Sequence, residues 1–595
     1  MTGTCHEILG NVFGFRAFRG VQEQVVERVM EGRHSLAVMP TGAGKSLCYQ
    51  LPALAREGTA LVVSPLIALM HDQIRSADAL GIRAASLTSA DSGNADAVSR
   101  LRAGNLDLLY VAPERATTGA FRRLIAGVPL ALIAIDEAHC VSEWGHDFRP
   151  DYRQLRSLLE EHSDVPRLAL TATADERTRS DILLQLGIRA EGLIVAGFDR
   201  PNIRYHVQPR RSVGSQLREL LARVKGPGIV YVPSRDKAER IAEKLASKGR
   251  RALPYHAGLD PAVRARNQAA FVESEDMVMA ATVAFGMGID KPDVRFVAHA
   301  GVPKSIEAYY QETGRAGRDG DPAEAWLFWA ASDFATARKR IETEMEPERR
   351  QGERERLNAL AALVEASSCR RAILLRHFGE SPPERCGNCD NCLAPPSTID
   401  ATEAARKFLS AAFRTEMRFG AGHLIDVLAG SDSEKVRRFG HDRLSVYGIA
   451  SDEEVALMQP VARALIARDA LRADAYGGLS FGPGAKPILK GEEKLEIALP
   501  PPRKRRARGR HGDAEDDPLF ERLRETRREL AAAAGVPAYV VFHDSTLRDI
   551  AAARPQSLAE LSEVNGVGES KLERYGEELL AAVRSWQESA ETSQG

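Results

Sequence analysis

In the first half of the chain, short apolar runs alternate with longer stretches whose apolar positions recur at helical spacing. The runs are Leu36–Met39, Ala60–Val63, Leu106–Val111, Leu132–Ile135 and Arg167–Leu170, with helical stretches such as Leu66–Ala79 between them. Continuous apolar character, without alternation, predicts strands buried on both faces and so a parallel sheet between helical layers. The pattern restarts near Pro227 with Gly228–Val232, Ala252–Tyr255, Val278–Ala280 and Val294–His299. Two successive α/β lobes are expected, 1–207 and 208–340, with their boundary near 205–215. Beyond residue 330 the sequence turns helical, charged and then cysteine-bearing. A helical subdomain (341–400), a small mixed domain (401–498), a linker (499–515) and a compact all-helical domain (516–590) complete the expected order. The linker reads as stiff proline, Pro500-Pro501-Pro502, followed by the basic run RKRRARGRHG, which packs poorly.

Composition narrows the class without setting it. With 595 residues, 44% hydrophobic and 27% charged, the chain suits several domains that each bury a core. The net charge of −1 excludes a simple polybasic binder, so any nucleic-acid surface must be local. No apolar run reaches the length of a membrane span, and the first residues lack a charged-then-apolar export pattern. A reducing, cytoplasmic setting is therefore expected, in which clustered cysteines indicate metal and not disulfides.

Candidate chemistry sits at the ends of the apolar runs. Leu36–Met39 leads into Pro40-Thr41-Gly42-Ala43-Gly44-Lys45-Ser46 and a helix. Glycines there let backbone N–H groups of Thr41, Gly42 and Gly44 turn around phosphate oxygens. Lys45 suits the outer phosphates and the Ser46 hydroxyl suits Mg²⁺. Met39 stands where the strict eight-residue pattern has glycine. Residues 133–150 read IAIDEAHCVSEWGHDFRP. Asp136 suits the magnesium shell, and Glu137 suits the water that attacks the γ-phosphate. In the loop that follows, Trp144 and Phe148 offer faces for bases, while His146 and Arg149 can meet phosphates or relay to Glu137. Cys369, Cys386, Cys389 and Cys392 can close a tetrahedral zinc shell with no open position, a structural site; an iron–sulfur cluster is the other Cys₄ option.

The segment 133–150 resembles that of RecQ-family DNA helicases, and the resemblance extends over nearly the whole chain. It is carried further by Phe13-Gly14-Phe15-Arg16-Ala17-Phe18-Arg19-Gly20-Val21-Gln22, by Ser64-Pro65-Leu66, and by Thr171-Ala172-Thr173-Ala174. Tyr255-His256-Ala257-Gly258 and Gln311-Glu312-Thr313-Gly314-Arg315-Ala316-Gly317-Arg318 carry it into the second lobe. It implies two RecA-like lobes, a zinc-binding subdomain, a winged-helix (RQC) domain and an HRDC domain. By resemblance, Phe15 and Arg19 pack on adenine and Gln22 bonds its edge. Gln311, Arg315 and Arg318 face the nucleotide across the cleft, with Arg318 the first choice for an arginine finger. Glu143 departs from the glutamine of many relatives and would place a negative charge near DNA.

The expected activity is ATP- and Mg²⁺-dependent 3′→5′ unwinding of DNA in recombination, replication and repair, at a bacterial nucleoid. The expected partners are single-stranded and tailed or forked duplex DNA, with a single-strand-binding protein as a candidate. Arg437, Arg438 and Arg443 of the winged helix are candidate duplex contacts, equally readable as a solvated face. Residues 518–590 hold 9 Lys/Arg against 12 Asp/Glu, so protein contact or weak regulation is as compatible with the tail domain as DNA binding. An RNA helicase, a translocase that does not unwind, and an ATP-gated scaffold are the rival readings.

Overall fold

A computed structural model describes residues 2–65, 67–88, 93–142, 148–285, 291–473, 478–498 and 518–592. The first lobe is a seven-stranded parallel sheet built from β1 (Ser35–Val38), β2 (Thr59–Val63), β3 (Ala84–Leu87), β4 (Leu108–Val111), β5 (Leu130–Ile135), β6 (Arg167–Thr171) and β7 (Leu193–Val195). The strand order is β3-β4-β2-β5-β6-β1-β7. Burial explains the apolar runs: β1, β2, β4 and β6 are buried at every position. Alternate side chains enter two separate apolar clusters, Leu36 and Val38 on one face and Ala37 on the other. Placing β5, β6 and β1 side by side brings the turn after β1, Asp136 after β5 and Thr171 of β6 to one edge, where ligands of open α/β sheets bind.

The second lobe is a six-stranded parallel sheet of β8 (Ile203–Pro209), β9 (Gly228–Tyr231), β10 (Ala252–Tyr255), β11 (Val278–Ala281), β12 (Phe296–His299) and β13 (Ala323–Trp329), in the order β10-β11-β9-β12-β13-β8. The boundary between the lobes needs correction. Residues 203–209 pair along their whole length with β13, so the first lobe ends before Ile203 and not at 207. The apolar pattern obscured this because β8 carries polar Arg204, His206 and Gln208 between Ile203, Tyr205 and Val207, as an edge strand can.

Helices Ala331–Glu344 and Pro347–Glu365 form a hairpin against the second lobe, followed by helix Arg370–His377. Arg371 ties this unit to the connection between the lobes, donating to Asp199 Oδ1 and the Ile203 carbonyl, each at 2.6 Å. The next domain is closed by β14 (Thr398–Asp400) pairing antiparallel with β17 (Glu496–Ala498), and carries a small hairpin of β15 (Leu471–Ala473) and β16 (Leu479–Phe481). The sequence predicts a turn at Tyr476-Gly477-Gly478, of which Tyr476 and Gly477 lie outside the described residues. Five helices between Pro518 and Thr592 make the last domain around its own core. Among the described residues, no helix is long and apolar enough to cross a membrane.

Candidate functional site

The phosphate-type loop starts where β1 stops and ends at helix Leu47–Ala55. Gly42 and Gly44 have φ of 85° and 73°, conformations that cost little only for glycine. Lys45 Nζ donates to the carbonyls of Met39 and Pro40 at 3.2 and 3.4 Å, which holds the ammonium over the loop.

Glu137 leaves β5 with a φ of 49°, strain that a functional position commonly stores. Its N–H donates to Asp136 Oδ1 at 3.0 Å. Its Oε2 is buried, accepts no hydrogen bond and stands 3.3 Å from His139 Nδ1. That nitrogen also meets Thr171 Oγ1 at 3.0 Å, so the acidic pair and the Thr171-Ala172-Thr173-Ala174 segment form one connected cluster. Burial, and after it the Glu137 charge, push the Asp136 carboxyl up to about 7 against the pull of Lys45. A divalent cation offsets such a concentration of negative charge, and Asp136 with the Ser46 hydroxyl is the donor set that suits Mg²⁺.

The second lobe reaches this edge through helix Ile306–Thr313, capped by Ser305 accepting from the Ala308 N–H. Gln311 lies half-buried in its last turn. The two arginines then diverge. Arg315 turns into the lobe and is only 6% exposed, beside Tyr231. Arg318 stays accessible, with Cα and Cγ 3.4 Å from where a Cβ on Gly42 would stand. Of the two side chains, Arg318 is the one placed against Gly42 of the phosphate-type loop.

Arg200 was not a candidate from sequence. It lies between the lobes and donates to Thr41 O (2.5 Å) and Gly314 O (3.0 Å) through Nη1, and to Ala316 O (2.9 Å) and Gly317 O (2.8 Å) through Nη2. One guanidinium thus joins the first lobe's loop to the backbone of the arginine-bearing segment. Its acceptors are main-chain carbonyls up to 159 residues away, which leave no side-chain pattern in the sequence.

The expected adenine residues are brought together, with one difference. The Arg19 guanidinium lies 5.5 Å from the Phe15 ring centroid, a stacked pair able to flank a base. Gln22 is engaged by protein: its Oε1 accepts from the Arg19 N–H at 2.8 Å and its Nε2 donates to Ala43 O at 2.9 Å. The amide expected at a base edge therefore braces the phosphate-type loop here. Trp144 and His146 lie outside the described residues. Phe148 is flanked by Arg153 and Arg349, at 5.3 and 5.8 Å from its ring, and Arg149 donates to Pro65 O at 3.1 Å.

The four cysteines converge as their spacing predicts. Their sulfurs lie within 4.8 Å of one another, with Cys389–Cys369 at 3.9 Å and Cys386–Cys392 at 4.0 Å. A tetrahedron of Zn–S bonds of about 2.3 Å has edges of about 3.8 Å, so small side-chain shifts would close this set around zinc. Hydrogen bonding between Cys386 and Cys389 lowers the Cys386 thiol and raises that of Cys389, the pattern of thiols crowded close enough to share a proton or a metal. In the winged-helix region Arg437, Arg438 and Arg443 are all exposed, Arg437 pairing with Asp432 at 3.1 Å.

Five family models match in the order of these units: DEAD/DEAH box helicase over 19–182, helicase conserved C-terminal domain over 213–320, RecQ zinc-binding over 331–393, RQC domain over 395–506 and HRDC domain over 516–583. The chain is 44% identical to the ATP-dependent DNA helicase RecQ of Haemophilus influenzae, over 98% of this chain and 96% of that protein. It is 39% identical to the ATP-dependent DNA helicase RecQ of Bacillus subtilis, over 98% and 99%. It is also 34% identical to ATP-dependent DNA helicase Q-like 2 of Arabidopsis thaliana, over 96% and 82%. With both lobes, the cysteine cluster and the two C-terminal domains in the same order, the chain belongs to the RecQ helicase family.

Proposed function

We propose that this protein is an ATP-dependent DNA helicase that moves 3′→5′ along one strand and separates the duplex ahead of it. The observation that carries this reading is the straddled cleft, in which Arg318 of the second lobe borders Gly42 of the first. An engine whose phosphate loop and arginine lie on different lobes must close them to hydrolyse ATP and reopen them to release product, which couples chemistry to movement.

The residue roles follow from chemistry. The loop N–H groups and Lys45 bind the phosphates. Ser46 and Asp136 would hold Mg²⁺, which neutralises charge on the phosphates. Glu137, with an unbonded buried oxygen, takes the proton of the attacking water and passes it toward His139. Arg318 stabilises the transferring phosphoryl group, worth roughly 10³-fold or more in rate for such arginines. Arg315 and Gln311 support it from the same segment. Phe15 and Arg19 pack on the base. Trp144, His146, Phe148 and Arg149 report DNA binding to Glu137. The displaced strand is one that a single-strand-binding protein coats, which makes that protein the first partner to test and the nucleoid the expected place of action.

The deciding experiment is strand separation on a 3′-tailed DNA duplex with ATP and Mg²⁺, beside a 5′-tailed duplex, an RNA duplex and Glu137→Gln. Unwinding of the 3′-tailed DNA alone, lost in the variant, is the expected result. DNA-stimulated hydrolysis without separation would replace the reading with a translocase, and neither activity in zinc-replete protein would leave a scaffold.

A further inference from the structure

The C-terminal helical domain is docked across the motor. Helix Pro518–Ala534 presents three arginines to one carboxylate of the second lobe, Glu275. Arg524 Nη2 and Arg528 Nε each donate to Oε2 at 2.9 Å, and Arg527 Nη2 donates to Oε1 at 3.0 Å. Arg548 Nη1 donates to both carboxylate oxygens of Asp321, at 2.8 and 2.9 Å, three residues beyond Arg318. On the first lobe, the Gly566 N–H donates to the Gly14 carbonyl at 2.8 Å, and Arg574 Nη1 donates to the Ala79 carbonyl at 3.3 Å. The approach is backbone to backbone: a Cβ on Gly568 would stand 3.1 Å from Val12 O. One domain thus grips both lobes and the loop next to the cleft arginine.

These contacts engage five of the domain's nine basic residues. The other four are tied within it. Arg522 bonds Glu525, Arg554 covers Trp586, Lys571 covers Phe542, and Arg584 bonds the Gln556 carbonyl. In the docked domain eleven of the twelve carboxylates are exposed against six of the nine basic residues, so its solvent-facing charge is acidic and repels phosphate. Of its cationic face, Arg524 and Arg527, 23% and 5% exposed, turn into the second lobe while Arg528 and Arg548 stay about half exposed, and on the other side the glycine loop that opens helix Glu569–Thr592 meets the first lobe. Arginines that clasp a carboxylate in a fork clasp a phosphodiester equally well.

We propose that this face binds either the motor or the phosphate backbone of single-stranded DNA, never both, so that the docked domain is a brake on lobe movement which DNA releases. The idea rests on the helicase reading for its ligand. Docking links the two lobes and so opposes their relative motion, while a strand that captures Arg524, Arg527 and Arg528 removes the link. By reciprocity, a change that weakens docking without touching Arg524, Arg527 or Arg528 raises affinity for the strand.

The test uses the full chain and two variants that add no positive charge, Glu275→Gln and Gly568→Leu. Three quantities are read: oligothymidylate affinity without nucleotide, amide exchange over 566–568 and 11–14, and ATP hydrolysis without DNA. In the wild type, saturating oligothymidylate should raise exchange at both segments. Both variants should show that raised exchange without DNA, bind the oligonucleotide several-fold more tightly and hydrolyse ATP faster in its absence. Unchanged wild-type exchange at saturation, or variants that undock yet bind no more tightly, would overturn the proposal. If one variant misfolds, the other decides, since they disturb opposite lobes. Exchange and affinity are read without ATP, so a chain that never unwinds a duplex could pass, and one that unwinds normally could fail.

Discussion

Glu137 and Arg200 show how differently two side chains enter the chemistry. Glu137 is held by a left-handed backbone that leaves one carboxylate oxygen unbonded at the sheet edge. Replacing it with glutamine keeps the shape and removes the base. Hydrolysis should fall by roughly 10²- to 10⁴-fold while ATP affinity holds, as read by phosphate release and by binding of a fluorescent nucleotide. Arg200 touches no reacting group but fastens the two halves of the cleft through four carbonyls. Arg200→Ala should lower kcat at least tenfold with a smaller change in KM, because ATP still binds the first lobe while Arg318 loses its register. Equal loss in kcat for Lys45→Ala and Arg200→Ala, both traced to failed ATP binding, would contradict that positioning role.

Among elements, the joint between helix Ile306–Thr313 and helix Arg370–His377 ties the arginine-bearing segment to the zinc unit. Glu307 Oε1 meets His377 Nε2 at 2.6 Å. Burial alone would raise the Glu307 carboxyl, but His377 and Ser305 together hold it down to about 2 from an ordinary 4.5. A depressed carboxylate stabilises the fold fully above its unfolded value and loses that contribution as pH falls from 4.5 through about 2. The wild type should therefore lose about 1.4 kcal/mol of its advantage over Glu307→Gln for each pH unit between 4.5 and about 2. Urea unfolding of both proteins at pH 7 and 3.5 checks the sign. Nearby, Phe198 stacks on Phe378 at 4.7 Å and Tyr310 tilts against Phe378 at 4.8 Å. The interlobe connection, the zinc unit and the second lobe thus share one aromatic joint.

In the molecule as a whole, the cysteine cluster sets where the winged-helix domain stands. The helix hairpin it anchors carries Arg338 and Glu365, which bond the winged-helix segment at Ile466 O, Ala467 O, Asp469 and Arg468. Removing zinc should therefore affect duplex binding more than ATP binding. Cys389→Ser should bind less than one zinc per chain, unfold at lower temperature and hold tailed duplex more weakly, with nucleotide affinity little changed. Metal analysis, thermal melts and anisotropy on duplex and nucleotide probes read each part separately.

Local chemistry made much of this legible in advance. Buried parallel strands must be apolar throughout, a phosphate loop needs its glycines at fixed spacing, and four thiolates at short intervals suit one metal; β1, Gly42–Ser46 and the Cys369–Cys392 set were readable for those reasons. Edge strand β8 was misassigned because its polar alternation lacks the buried-strand pattern, and only pairing with β13 shows which lobe owns it. Arg315 and Arg318 carry the same chemistry three residues apart, yet packing sends one inward and leaves the other beside Gly42. Arg200, the placement of Gln22 and the clasp on Glu275 depend on backbone carbonyls or on partners hundreds of residues distant. Local pattern fixes what a segment can form and which atoms can react. Which of those atoms meet is decided by long-range packing, because a contact's free energy depends on separation in space and not along the chain.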